Sequence, residues 1–174
     1  MSEISLAVRR YAESEITKAY KVRDAVNEII TDWKKRLTLV RINISGGEVR
    51  YEPDPINIKK YAKELSKKYK IDKDILEKII HRGVEKGIEM GRFIHAKLSA
   101  SNGHIISLKD VEKGMVEAFK KEIRKELIKK YGKVMGVVLL TACLEAFLSM
   151  LHAFTIVYLE LCRRIPFGGL PVPP

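Results

Sequence analysis

Apolar residues recur at helical spacing along the first part of the chain. No glycine or proline interrupts residues 1–45, and Ser2 can cap a helix that begins at Glu3. A helix of about 35 residues would be roughly 50 Å long, so we expect an N-terminal arm that extends beyond its own bundle. The apolar positions of this helix are Ala19, Val22, Val26, Ile29, Ile30, Trp33 and Leu37.

The period changes from helical to alternating over residues 38–52. Val40, Ile42 and Ile44 alternate with polar residues, and the segment Ser-Gly-Gly-Glu at 45–48 is a turn signal. This pattern predicts a β-hairpin. Because an isolated hairpin is only marginally stable in water, we expect it to pack on the rest of the chain or on a neighbouring subunit.

Helical spacing returns after Pro53-Asp54-Pro55. Asn57 can cap a short helix, and Asp72 can cap a longer one that runs to about Leu98. Ser107 can cap the next helix, which Gly132 would break or end as a C-cap. A last helix is predicted from about Lys133 to Arg163. The predicted fold class is mainly α, with a long N-terminal helical arm, a small β-hairpin and a C-terminal helical bundle. Two regions are expected: residues 1–52 form the arm and hairpin, and residues 53–174 form the bundle with an apolar last helix and a Pro/Gly tail.

Residues 134–162 are apolar enough to suggest a membrane span. Glu145 divides them into uncharged runs of 11 and 14 residues, which are shorter than the roughly 18 residues that a span requires. Thr141, Glu145, Ser149, His152 and Thr155 also share one helix face. The pattern favours a helix that packs in the bundle or between subunits, with Glu145 and His152 pairing in a polar seam that fixes its register. A membrane-spanning or lipid-contacting helix is the alternative.

Gly83, Gly87 and Gly91 recur every four residues on the apolar side of their predicted helix. Each glycine in a helix costs about 1 kcal/mol relative to alanine, so a close neighbour should offset the cost. Glycine on a packing face lets another backbone approach. The expected neighbour is a helix, and a nucleic-acid backbone is the alternative.

The chain is strongly basic, with a formal net charge of +11. Residues 134–174 hold two cations and two anions, so the whole excess lies before residue 134. This division indicates a region that faces a polyanion and a neutral region that contacts protein or lipid. The absence of glutamine, beside abundant Lys, Glu and Ile, is typical of a protein from a hot environment.

Several cations share helix faces. Lys109, Lys113 and Lys120 line one face with Arg124 over about 22 Å, which suits the repeating phosphates of a duplex. On the first helix, Arg9, Arg23 and Lys34 lie on one flank of the apolar stripe, and Arg10, Lys21 and Lys35 lie on its outer face. The candidate nucleic-acid-binding residues are therefore Arg9, Arg10, Lys21, Arg23, Lys34, Lys35, Arg41, Lys109, Lys113, Lys120 and Arg124.

Acidic residues between these cations support a second interpretation, a solvated face held by ion pairs. The expected i,i+4 pairs include Glu117 with Lys121 and Glu126 with Lys130. No base-reading motif accompanies the basic faces, so any binding should be directed to the backbone and independent of sequence.

No pattern in the chain predicts an enzyme. Its four histidines form no His-Glu-x-x-His motif, and no glycine-rich loop follows a strand to cradle phosphates. Cys143 and Cys162 lie 19 residues apart on one helix and are expected to be buried structural thiols. We therefore expect no catalytic site, cofactor or metal.

The layout resembles the major coat proteins of filamentous viruses of hyperthermophilic archaea. The resemblance covers the whole chain, with the arm from Arg9 to Arg41 and the end of the bundle from Leu108 to Arg163, whereas the hairpin departs from the family pattern. It implies that paired subunits wrap double-stranded DNA between helices and hold it in the A-form. The implied partners are double-stranded DNA, other copies of this chain and a second, related coat subunit, and some members of the family add a lipid envelope. The implied location is the virion, assembled in the host cytoplasm.

Two other functions fit the same sequence. One is a non-viral, sequence-independent DNA-binding dimer. The other is a membrane-associated helical protein anchored by residues 134–162.

Overall fold

Helices make up most of residues 2–99 and 107–164, which are the residues that this computed structural model describes. They are α1 (Glu3–Ile30), α2 (Trp33–Thr38), α3 (Pro55–Tyr69), α4 (Lys73–Ser99) and α5 (Leu108–Arg164), and the strands are β1 (Val40–Ser45) and β2 (Glu48–Pro53). A mainly helical chain with a small antiparallel hairpin and a long C-terminal helix is thus confirmed. The predicted Pro/Gly tail lies outside the described residues.

The predicted N-terminal helix is shorter than expected, because a break separates α1 from α2. The Asp32 side chain accepts hydrogen bonds from the backbone N–H groups of Lys34 and Lys35, at 3.0 and 3.3 Å. These bonds satisfy donors at the start of a new helix and make Asp32 an N-cap. The continuous helix predicted to Leu37 is therefore wrong, and α1 ends at Ile30.

The hairpin forms as predicted, with Ser45 paired to Glu48 across the turn. Gly46 and Gly47 both have positive φ, 58° and 80°, as a two-residue turn with matching twist requires. β2 packs inward, because Val49 and Tyr51 are each 1% exposed, and the Tyr51 carbonyl accepts a hydrogen bond from Arg92 of α4 at 3.1 Å. On β1, by contrast, Ile42 and Ile44 remain exposed.

The cap of α3 differs from the prediction. Asp54 accepts hydrogen bonds from the backbone N–H groups of Ile56 and Asn57, both at 3.1 Å, so Asp54 is the N-cap. Pro55 occupies the first turn, where its missing N–H costs nothing. Asn57, the predicted cap, instead donates a side-chain hydrogen bond to the Thr38 carbonyl at 2.9 Å.

A sharp reversal at Gly132 divides α5 into two segments, α5a (residues 108–131) and α5b (residues 133–164). Gly132 has φ 82° and ψ 173°, a conformation essentially reserved for glycine. The segments lie side by side, because the Phe119 and Phe147 rings stack with centroids 4.2 Å apart. A Cβ on Gly136 would lie 3.2 Å from backbone atoms of α5a, so the two backbones approach closely near the turn.

The core lies mainly between α4 and α5b. Fully buried side chains on α5b include Phe147, Phe154 and Tyr158. The same hydrophobic cluster contains Val22 of α1 and Tyr51 of β2, so it draws on residues from both predicted regions. Ion pairs join the start of α4 to α5a, because Lys130 contacts Asp72 and Asp74 at 2.8 and 2.9 Å.

The first two turns of α1 have no such ion pairs to the other helices among the described residues. Lys18 and Val22 mark where the helix meets α5, since the Lys18 ammonium lies 3.5 Å from the sulfur of Met135. Before that point, every side chain that the structure describes between residues 2 and 17 is exposed. We call residues 3–10 the free end of α1.

Candidate nucleic-acid interface

A row of four cations lies along α5a. Lys109, Lys113 and Arg124 are exposed and Lys120 is half-buried. Within residues 2–99 and 107–164, none of the four has an ion pair or a side-chain hydrogen bond. We call Lys109, Lys113, Lys120 and Arg124 the α5 row.

The acids on the opposite side of α5a bind α4. Glu122 accepts hydrogen bonds from Arg82, with a shortest distance of 3.1 Å, and Glu126 lies 3.4 Å from the Lys78 ammonium. The bond from Arg82 to Glu122 stabilises the charged guanidinium and raises the pKa of Arg82. These acids therefore hold α4 and α5a together on the side of α5a that faces away from the α5 row.

The expected ion pairs within α5a do not form. Glu126 pairs with Lys78, and Lys130 pairs with Asp72 and Asp74, so the predicted Glu126–Lys130 pair is wrong. In the described part of the chain, Lys121 has no ion pair either, with Glu117 or any other acid. Tertiary partners at the start of α4 have replaced the local ones for Glu126 and Lys130.

The other candidate cations are distributed over separate elements. Arg9 pairs with Glu13 at 3.3 Å, Lys35 lies 4.0 Å from Glu28 and Arg41 pairs with Glu52 at 3.1 Å. Each of these three cations therefore has an acidic partner, unlike the cations of the α5 row.

The remaining candidate cations of the N-terminal region, unlike the three above, have no ion pair among the described residues. Arg10 is exposed on the free end, Lys21 is half-buried, and Lys34 is exposed on α2. Arg23 is also exposed, and its guanidinium lies 6.0 Å from the ring centroid of Tyr20. None of these four has an ion pair among the residues described.

Glu145 and His152 do not pair with each other. The His152 ring contacts Glu112 of α5a, with 3.0 Å between Nε2 and the carboxylate oxygen. Glu145 is exposed beside α1 instead. The polar stripe faces outward because the opposite side of α5b supplies the core, and only Thr155 of the five stripe residues is buried.

The three spaced glycines face α5b, so the close neighbour of this surface is a helix. A Cβ on Gly83 would lie 2.3 Å from the Cβ of Met150, and one on Gly91 would lie 2.6 Å from the Tyr158 ring. At Gly87 the contacts include backbone, with the Leu151 carbonyl oxygen at 2.7 Å. These distances leave no room for a side chain at any of the three positions.

Sequence reasoning missed two cations that lie beside the α5 row, about 100° around the helix from it. Lys121 and Lys125 are exposed next to Lys120 and Arg124, and neither has an ion pair within the described segments. Helical spacing alone predicts an i,i+4 ion pair between Glu117 and Lys121. The signal that could have identified it is the run of adjacent cations, Lys120-Lys121 and Arg124-Lys125.

Comparisons with known proteins identify no relative, since no protein family, curated protein or solved structure matches this chain. The resemblance to filamentous-virus coat proteins therefore depends on the organisation of the chain. The structure itself defines a mainly helical protein with one small hairpin and a long, reversed C-terminal helix.

Proposed function

We propose that this chain is a structural coat protein that wraps double-stranded DNA and assembles with copies of itself into a helical filament. The α5 row supports the proposal best. Four cations spaced over about 22 Å, none with an ion pair in the described chain, form a line that can follow a phosphate backbone. Binding would be independent of sequence, because such contacts go to phosphates and not to base edges.

Assembly accounts for the rest of the molecule. The second half of α1 with α3, α4 and α5 would form the helical bundle of each subunit, and the free end of α1 would extend between subunits. Exposed apolar residues on the free end, Ile4 at 78% and Val8 at 62%, are costly for a monomer and suit a contact with another molecule. By resemblance, the assembled location would be the virion.

The DNA proposal is tested by removing the charges of the α5 row. The test variant carries Lys109→Gln, Lys113→Gln, Lys120→Gln and Arg124→Gln. The matched control carries Lys59→Gln, Lys60→Gln, Lys63→Gln and Lys67→Gln, because these four α3 lysines are exposed and have no ion pair in the described chain. Both variants lose four positive charges, so they differ only in where the charge is removed.

Fluorescence anisotropy with a mixed-sequence duplex over a range of salt concentrations reads out the number of phosphate contacts. We expect the α5 variant to lower the slope of log affinity against log salt by about 3–4, since each contact contributes about 0.9. The α3 control should keep the slope of the natural chain. Equal slopes in the two variants would reject the α5 row as the DNA-contacting surface.

Electron microscopy with and without duplex DNA tests the filament. We expect regular filaments with DNA from the natural chain and from the α3 control. Filaments of normal shape from the α5 variant, with DNA still enclosed, would contradict the proposal.

A membrane-associated function is the second candidate, because among the described residues one helix, α5, is long and apolar enough to cross a membrane by length and composition. Val134, Val137 and Ile156 are exposed on α5b and could meet lipid. However, Phe147, Met150 and Phe154 on its other face are fully buried in the protein, so insertion would require α5b to leave its core. Flotation with neutral lipid vesicles tests this candidate, and failure of the full chain to float would reject it.

A further inference from the structure

Half of the backbone groups of β1 point away from β2. The two-residue turn makes Ser45 and Glu48 a hydrogen-bonded pair, and bonded pairs then alternate with non-bonded pairs along the hairpin. The N–H of Asp54 donates to the Leu39 carbonyl at 2.8 Å, so the odd-numbered residues are the ones that face β2. The outward groups belong to the even-numbered residues Val40, Ile42 and Ile44.

The two edges of the hairpin differ in what covers them. On the outer edge of β2, Arg92 of α4 donates to the Tyr51 carbonyl. On the outer edge of β1, no hydrogen bond from residues 2–99 or 107–164 reaches the outward groups, and residues 41–45 are all exposed. β1 therefore presents an open strand edge.

The apolar face of the hairpin is covered only beneath β2. Ile42 lies opposite Tyr51 and Ile44 lies opposite Val49, so these four side chains share one face. Tyr51 and Val49 are each 1% exposed, whereas Ile42 is 52% and Ile44 is 65% exposed. An apolar surface that is continuous with the core thus extends past the last covered strand.

β1 also lacks the features that keep other strands from pairing with an edge. Such edges commonly carry an unpaired charge, a proline or a bulge. The six residues of β1 pair with β2 without a bulge, and they include no proline. Their single charge, Arg41, donates two hydrogen bonds to Glu52 within its own hairpin, at 3.3 and 3.1 Å.

A second copy of β1 is the strand that fits this edge. In an antiparallel pair with Ile42 on the twofold axis, Ile42 faces Ile42 of the second copy and Val40 faces Ile44 of the second copy. All the outward residues then find partners, through about six hydrogen bonds. The apolar segment 165–174 fits less well, because four of its ten residues are prolines, which cannot donate to a ladder.

We propose that two copies of this chain join through antiparallel pairing of their β1 strands and form one four-stranded sheet with Ile42 on the twofold axis. The apolar faces of both hairpins would lie on the same side of the sheet, so that Ile42 and Ile44 of each copy cover one another. Four strands also form a more stable sheet than one hairpin does. The inference rests on the self-assembly part of the proposed function and requires no DNA.

A charge exchange at the axis tests the pairing and its register. Ile42→Lys and Ile42→Glu would each place two like charges opposite one another, so each variant alone should self-associate at least about tenfold more weakly than the natural chain. An equal mixture of the two should recover association, because lysine then faces glutamate. Sedimentation without DNA measures all three samples.

Ile56 supplies the matched control, because it is an isoleucine on α3 that is 77% exposed. Ile56→Lys and Ile56→Glu should each associate like the natural chain. Three results would overturn the inference: a monomeric natural chain, a Lys–Glu mixture at position 42 that associates no better than either variant alone, or equal losses at positions 42 and 56.

Disulfide formation gives a second measurement of the register. Ile42→Cys should form dimers under mild oxidation, since residues on the axis have Cα atoms about 5.5 Å apart. Asn43→Cys is the control, because the two copies of residue 43 would be diagonal neighbours about 7–8 Å apart. The natural thiols do not interfere, because Cys143 and Cys162 are buried. Equal yields from the two variants, or no dimer from Ile42→Cys, would contradict the pairing and leave the edge to another segment or partner.

Failure of this inference can be distinguished from failure of the DNA proposal. A monomeric natural chain without DNA, together with a lowered salt slope in the α5 variant, would overturn the β1 pairing alone. An unchanged salt slope in the α5 variant, together with recovered association in the Lys–Glu mixture, would overturn the DNA role alone.

Discussion

Replacing Gly87 by alanine should test how closely α4 and α5b are packed. A Cβ at this position would lie 2.6 Å from the Cβ of Phe154, 2.7 Å from the Leu151 carbonyl oxygen and 3.1 Å from the Phe154 carbonyl carbon. Two of these atoms belong to the backbone, so relief requires α5b to move as a whole. Alanine would gain about 1 kcal/mol in helix propensity, and overpacking of this kind costs about 1–3 kcal/mol.

Because the overpacking should exceed the propensity gain, we expect Gly87→Ala to lower the free energy of unfolding by up to about 2 kcal/mol. Gly114 provides the control, since it is helical and exposed, and a Cβ added there would have no neighbouring atom within 4 Å. Gly114→Ala should therefore raise stability by up to about 1 kcal/mol. Urea unfolding followed by circular dichroism measures both. A Gly87→Ala protein as stable as Gly114→Ala would refute the close approach of the two helices.

Three further results are expected. Gly132→Ala should destabilise the chain by about 1–3 kcal/mol in the same unfolding assay, because its backbone conformation excludes a side chain; unchanged stability would mean that the reversal does not need glycine. Lys130→Gln should raise the pKa of Asp74, followed by NMR titration, because the hydrogen bond from Lys130 lowers it. In the natural chain, the stability that this carboxylate contributes is complete above its unfolded-state pKa and is lost as pH falls through the lower folded-state pKa. If the substitution left the pKa of Asp74 unchanged, the contact with Lys130 would be excluded. Burial raises the pKa of Cys143 to about 12, so this thiol should resist a thiol-specific reagent until the protein is unfolded, and rapid labelling of the native chain at Cys143 would contradict its burial.

Local chemistry accounts for the parts of the fold that the sequence predicted well. Gly46 and Gly47 provide the positive φ angles of the hairpin turn, and Gly132 interrupts α5, each through a property of the residue itself. Asp32 could have been recognised in the same way, as a capping residue that ends the long first helix. It was missed because the apolar spacing continues through it to Trp33 and Leu37.

Long-range geometry accounts for the parts that could not be predicted. Spacing placed Lys130 beside Glu126, but the packing of α5a against the start of α4 brings it to Asp72 and Asp74. The reversal at Gly132 brings His152 to Glu112 and leaves Glu145 exposed beside α1. A glycine signals that a helix breaks, but the direction of the next segment depends on packing with elements distant in sequence.

The reversal at Gly132 also makes the length of α5 sensitive to insertion. Phe119 stacks on Phe147 and Glu112 meets His152, so facing residues lie at matched distances on either side of the turn. One added residue between Phe119 and the turn would rotate the preceding segment by about 100° against its neighbour and move its buried side chains into water. Length variation in this protein should therefore be tolerated at the free end of α1 and rejected anywhere within the stacked part of α5.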